Sequence, residues 1–133
     1  MKKHKFKLEA LLKMRKLKEE ACKMEIGRIQ VQISEKEEQV SEHNKGIRTA
    51  FEGQEEALKT GVTGQELRFH PFFVDGKRAH INFILGEIKE LSELRDQKFN
   101  ELKHLRADVK VIDEMKTKDA LSFKKNREKK RKD

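Results

Sequence analysis

The five histidines and one cysteine, His4, Cys22, His43, His70, His80 and His104, are the side chains first to be weighed for metal binding, nucleophilic attack or acid–base work. Metal ligation needs such groups at short fixed spacings, and the five histidines show none, either with each other or with Cys22. There is no glycine-rich loop to cradle a phosphate and no nucleophile elbow. A pair of long helices also offers no concave pocket from which to exclude water. No catalytic set, cofactor or metal site is implied, and the chain reads as a non-enzyme that acts by contact. His43 reads as a polar residue tolerated in a core rather than a ligand or switch.

The elements behind this reading are long helices. The stretch from Phe6 to Ile33 has no proline and one glycine. It carries apolar residues on two opposite faces. Leu8, Leu12, Cys22, Ile26, Ile29 and Ile33 follow steps of three and four, the a and d positions of a heptad. Ala10, Met14, Leu17, Ala21, Met24 and Val31, with Arg28 in register, take the c and f positions and face away. The first stripe needs one partner helix; the second needs another surface. Exposed contiguous apolar stripes mark interfaces, and methionine suits adaptable ones.

Composition agrees. Of 133 residues, 42% are charged and 35% hydrophobic, with no Trp or Tyr and one Pro. This matches the charged, periodic composition of long helices, not a globule with a large core and not a disordered chain. The net charge of +8 is concentrated at the ends. Residues 1–18 hold eight Lys/Arg, including Lys13, Arg15 and Lys16, against Glu9. Residues 116–133 hold nine Lys/Arg against Asp119, Glu128 and Asp133. These ends serve solubility or bind an acidic protein surface, acidic lipid or nucleic acid. Nucleic acid fits least, because no aromatic interleaves the basic tail to stack on bases.

A lone Cys22 makes no internal disulfide and points to a reducing cytoplasm. No run approaches the ~20 apolar residues of a membrane span. The opening MKKHKFKLEALLKM lacks the continuous apolar region of a signal peptide.

In chain order, a first helix is expected from about residue 4 to 59. Nine of its thirteen a/d positions from Leu8 to Ala50 are apolar, Val40 and Ile47 among them; Arg15, Glu19, Lys36 and His43 are the others. A turn is expected at about 60–63, where Gly61 suits a left-handed helix end and Thr63 with Glu66 fits a capping box. A second helix follows over about 64–125, with a kink or break at Pro71. From Lys77 its heptads bring Ile81, Ile84, Ile88, Leu91, Leu102, Leu105, Val109 and Ile112 to one face. Residues 124–133 read as a frayed basic tail. The predicted fold is all-α, a single long antiparallel two-helix coiled-coil hairpin.

Folding at Gly61 to Thr63 pairs residues whose numbers add to about 124, setting Cys22 against Leu102 and Val40 against Ile84. A one-heptad slip would set Glu19 against Lys98. Each arm would be about 75–85 Å long at the helical rise per residue. Both basic termini would lie at one end, and Ile47, Phe51, Phe69, Phe72 and Phe73 at the other. Those five residues plug the hairpin tip or form a second partner site.

The opening also resembles the start of the flagellar export protein FliJ family. That family begins with an F-x-L-x-x-L-L-x-x-R-x-x-x-E-E-like pattern, met here by Phe6, Leu8, Leu11, Leu12, Arg15, Glu19 and Glu20. The resemblance implies a rod similar to the coiled-coil stalk of the rotary ATPase γ subunit. It implies a place at the central pore of the hexameric flagellar export ATPase, a link to the membrane export gate, and association with export chaperones. It thereby implies a cytoplasmic protein peripheral to the inner membrane. Ala10, Lys13, Met14, Arg15, Lys16, Leu17, Ala21, Met24, Arg28 and Val31 would face the ATPase, and the tip residues would face the gate. The alternatives are the equivalent stalk of a virulence type III secretion system, a basic coiled coil binding nucleic acid, and a homo-oligomeric scaffold.

Overall fold

The computed structural model describes residues 8–61 and 63–132, without the side chains of 130–132. Two helices account for all of these residues but Leu8, Gly61 and Thr63: α1, Glu9–Thr60, and α2, Gly64–Lys132. There is no strand among the described residues, and the helices pack against each other, so the fold is an all-α helical hairpin. The expected helix start near His4 lies outside the described residues, as do Phe6 and Val62.

Local chemistry explains the reversal. The Thr60 hydroxyl donates to the Glu56 and Ala57 carbonyls, both at 3.3 Å, in the last turn of α1. Gly61 takes a positive φ of 98°, the left-handed conformation that side chains resist. Thr63 and Glu66 then close a reciprocal capping box. The Thr63 amide donates to the Glu66 carboxylate and the Glu66 amide donates to the Thr63 hydroxyl, each at 3.3 Å.

α2 runs through Pro71, the eighth residue of the helix. The missing N–H leaves only the Leu67 carbonyl without its usual donor. Pro71 itself is exposed, so its ring lies off the packed face. At the other end α2 continues through residues 124–132, where the composition suggested fraying.

The packing divides into two units. One combines the described residues up to Gly27 with those from Asp96 onward; the other is Arg28–Arg95. In the first unit, Leu12, Cys22, Ile26, Leu102 and Ile112 are buried, with Leu8, Leu105 and Val109 half-buried. In the second, Ile29, Ile33, Val74, Ile81 and Ile84 are buried, with Val40, Ile88 and Leu91 half-buried. These residues keep steps of three and four along each helix, the spacing of a coiled-coil seam. On α2 the same spacing reaches back through Lys77 and Val74 to the half-buried His70. The seam thus begins before Lys77, where the sequence pattern had seemed to start.

Ion pairs fix the register in both units. In the first, Glu9 pairs with Lys116 at 3.0 Å, Glu19 with Arg106 at 3.4 Å and Glu25 with Lys98 at 2.7 Å. In the second, Lys36 pairs with Glu87 at 2.9 Å. All of these partners have numbers adding to between 123 and 125. This is the register that the turn chemistry favoured, and the one-heptad slip does not occur.

Candidate contact surfaces and family

In the first unit, α1 presents an apolar face to solvent. Met14 is 54% exposed, Leu17 63% and Met24 60%; Ala10 and Ala21 are exposed between them. The seam occupies the opposite side of the helix, which leaves this face without a partner among the described residues. Lys13 and Lys16 flank it and are exposed. Arg15 does not belong to it. Arg15 sits half-buried on the seam side, with its guanidinium 4.0 Å from the Asp108 carboxylate. Arg28 and Val31 are exposed on α1 within the second unit.

Beneath that face lies the polar part of the seam. The Cys22 thiol is buried and donates to the Lys98 carbonyl at 3.4 Å. Burial pushes its pKa up, the Glu101 and Glu25 carboxylates add to the rise, and Lys98 opposes it. The thiolate is thereby disfavoured, and Cys22 acts as a small apolar core residue. Hydrogen bonds to Glu25 and Glu101 hold the Lys98 ammonium above its ordinary range.

The second unit carries an aromatic surface. Phe69 and Phe73 stack with ring centres 6.0 Å apart. Phe51 meets His70 edge-on at 4.9 Å. Phe72 is 79% exposed, whereas Ile47 and Phe73 are half-buried. The five residues therefore do not share one environment: Phe51, Phe69 and Phe72 are open to solvent, and Ile47 and Phe73 are partly covered. A groove of about 580 Å³ runs beside them, with Gly46, Ala50 and Gly53 on one wall and Phe69, His70 and Phe73 on the other. His70 Nε2 is buried without a hydrogen-bond partner.

Phe83, 68% exposed in the same unit, is absent from the sequence-based set. Its signal was present: Phe69, Phe72, Gly76, Ala79 and Phe83 follow steps of three and four on the outer face of α2. A Cβ added at Gly76 would meet nothing within 4 Å, so packing inside the chain does not require a glycine there.

Both surfaces offer apolar contact area rather than convergent reactive groups. Among the described residues no three His, Cys, Asp or Glu side chains cluster to hold a metal. No described helix is long and apolar enough to cross a membrane.

Comparison with curated proteins and with solved structures returned no match. The family model described as "Flagellar FliJ protein" matches residues 4–133. With nearly its whole length matched, the chain belongs to the flagellar FliJ family and takes its place in the flagellar export machinery.

Proposed function

We propose that this protein is a non-enzymatic coupling stalk of the flagellar type III export apparatus. In this reading it joins the hexameric export ATPase to the membrane export gate. It resides in the cytoplasm, against the inner face of the membrane, and it escorts export chaperones as a secondary task. The ATPase docks on the α1 face formed by Ala10, Met14, Leu17, Ala21 and Met24, continued by Arg28 and Val31 and flanked by Lys13 and Lys16. The gate docks on the aromatic surface of Phe51, Phe69 and Phe72, with Ile47 and Phe73 beneath it.

The observation that carries this reading is the exposure of Met14, Leu17 and Met24 on a helix whose other side is already packed. Partly exposed as they are, these side chains realise only part of the about 1.5–3 kcal/mol that full burial of each would give, and a protein partner recovers some of the remainder on binding. The basic residues around them favour an acidic rim on that partner. The family supports a place in flagellar export; the assignment of each surface to its partner is ours.

The test is capture of the purified export ATPase and of the gate's cytoplasmic domain by the full chain. Met14→Asp and Leu17→Asp should lose the ATPase and keep the helical circular-dichroism signal. Undiminished ATPase capture by both variants would overturn the docking assignment.

A further inference from the structure

We propose that His43, Lys77 and His80 form a pH-responsive joint in the second unit, which loosens on acidification and releases Lys77 from its place beside Phe73. The proposal concerns how the aromatic surface is held and does not depend on what docks there.

The geometry is specific. Lys77 Nζ lies 3.2 Å from His43 Nδ1. The ammonium has only donors, so His43 Nδ1 accepts, and the ring's proton resides on Nε2. The His80 ring lies 4.6 Å from that of His43, inclined at 46°. Lys77 Nζ also stands 5.6 Å over the Phe73 ring, and Phe73 stacks on Phe69. One ammonium therefore links the seam histidine to the exposed aromatics.

The charges facing His43 are unbalanced. From α2 it meets Lys77 and His80, both basic. From its own helix, Glu35, Glu38 and Glu42 line the hollow beside it, and Glu42 is drawn 3.7 Å from Lys45. Among the described residues its one hydrogen bond comes from the cation. Protonating His43 removes the acceptor that Lys77 uses and places two positive charges side by side.

The direction of the effect follows. Partial burial lowers the pKa of His43 below the ordinary histidine value, and Lys77 and His80 lower it further. The group protonates more readily when the joint is open. Its contribution is complete above about pH 6.5, the unfolded value, and is lost as pH falls from there toward the lower folded value. A group that titrates only in the open form changes the opening equilibrium by up to about tenfold per pH unit.

The experiment is amide hydrogen exchange on the full chain at pH 7.5 and 5.5, corrected for intrinsic rates, with amides of 36–50 and 74–87 as reporters. The wild type should open up to about tenfold more at pH 5.5, and His43→Gln, which keeps an acceptor but cannot titrate, should remove that pH dependence. His80→Gln should leave most of it in place. A wild type with no pH-dependent opening, a dependence that survives His43→Gln, or one that vanishes only with His80→Gln would each overturn the proposal. Should His43→Gln fold poorly, Lys77→Met supplies the second arm. Removing the cation should raise the histidine's titration midpoint, read by its ring proton shifts; an unmoved midpoint overturns the joint.

Discussion

The Lys98 ammonium lies 2.7 Å from the Glu25 carboxylate across the hairpin and 3.3 Å from Glu101 on its own helix. Lys98 takes a seam position where an apolar residue is usual, one heptad position before the buried Leu102. Here the Glu25 and Glu101 carboxylates together satisfy its charge. A one-heptad slip of the helices would bring Glu19 to face it instead and would strip Arg106 of its own partner. The Glu25–Lys98 and Glu19–Arg106 pairs form together only in the observed register and so act jointly as its marker, the use of polar seam residues with the best precedent.

The first prediction tests that marker. Glu25→Lys and Lys98→Glu should each lower the thermal midpoint, and the double swap should recover part of the loss, as measured by circular-dichroism melts. A double variant no better than the worse single one would show that the pair has no register role. The pH sense is fixed by the raised lysine pKa. The contribution is present below the unfolded value of about 10.4 and disappears as pH rises through the folded one. Melts at pH 6 and 8 should therefore give the same ranking of variants.

Packing supplies the second prediction. Ile84 is 2% exposed and Leu17 63% exposed, though both are aliphatic residues on long helices. Ile84→Ala should cost about 2–5 kcal/mol in urea unfolding, through lost transfer energy and a residual cavity. Leu17→Ala should stay within about 0.5 kcal/mol, because it leaves no cavity. Equal losses at the two sites would contradict the assignment of Leu17 to solvent.

These contrasts were largely legible in the sequence, because a two-helix seam repeats one spacing and burial follows it. Leu12, Cys22, Ile26, Leu102 and Ile112 could be read from steps of three and four alone. The turn was legible as well, since Gly61, Thr63 and Glu66 each have a single strong structural use there. The stretch from Leu67 to Gly76 was not. Pro71 suggested a break, which hid the seam's continuation through His70 and Val74; only the structure places Pro71 on the outer side, where its ring does not obstruct the packed face. Phe83 was missed for another reason. The outer positions of α1 were counted as a stripe, but those of α2, where Phe69, Phe72 and Phe83 share a face, were not. Arg15 shows the converse limit: its charge suggested a docking rim, while its seam position gave it Asp108.

The turn gives a third prediction through backbone conformation. At φ 98°, Gly61→Ala forces a side chain into the left-handed region and should cost about 1 kcal/mol. Thr63→Ala removes the hydroxyl that accepts the Glu66 amide and should cost a similar amount, about 0.5–2 kcal/mol. Gly27→Ala should do the opposite. The position is helical and an added Cβ meets nothing within 4 Å, so the gain should be about 0.5–1 kcal/mol. Equilibrium urea melts would distinguish the three, and a destabilised Gly27→Ala would contradict the open space around that residue.

The fourth prediction separates the two contact surfaces. Met14 and Leu17 belong to the first unit, Phe72 and Phe83 to the second, so substitutions can disable one surface and leave the other unit's packing intact. All four are at least 54% exposed, and none of the changes Leu17→Asp, Met14→Asp, Phe72→Asp or Phe83→Asp buries a charge in the folded chain. If the surfaces have different partners, the α1 variants should lose at least tenfold in affinity for the ATPase while keeping gate binding. The α2 variants should show the reverse. A charged substitution at the centre of an apolar contact commonly costs more than the 1.4 kcal/mol that this factor represents. Loss of both partners by either pair would mean a single shared interface. Loss of neither would mean that these exposed residues do not serve docking at all. Raising salt from 0.05 to 0.3 M adds a further test. It should weaken ATPase binding, since Lys13 and Lys16 flank the α1 face and screening acts on exposed charges.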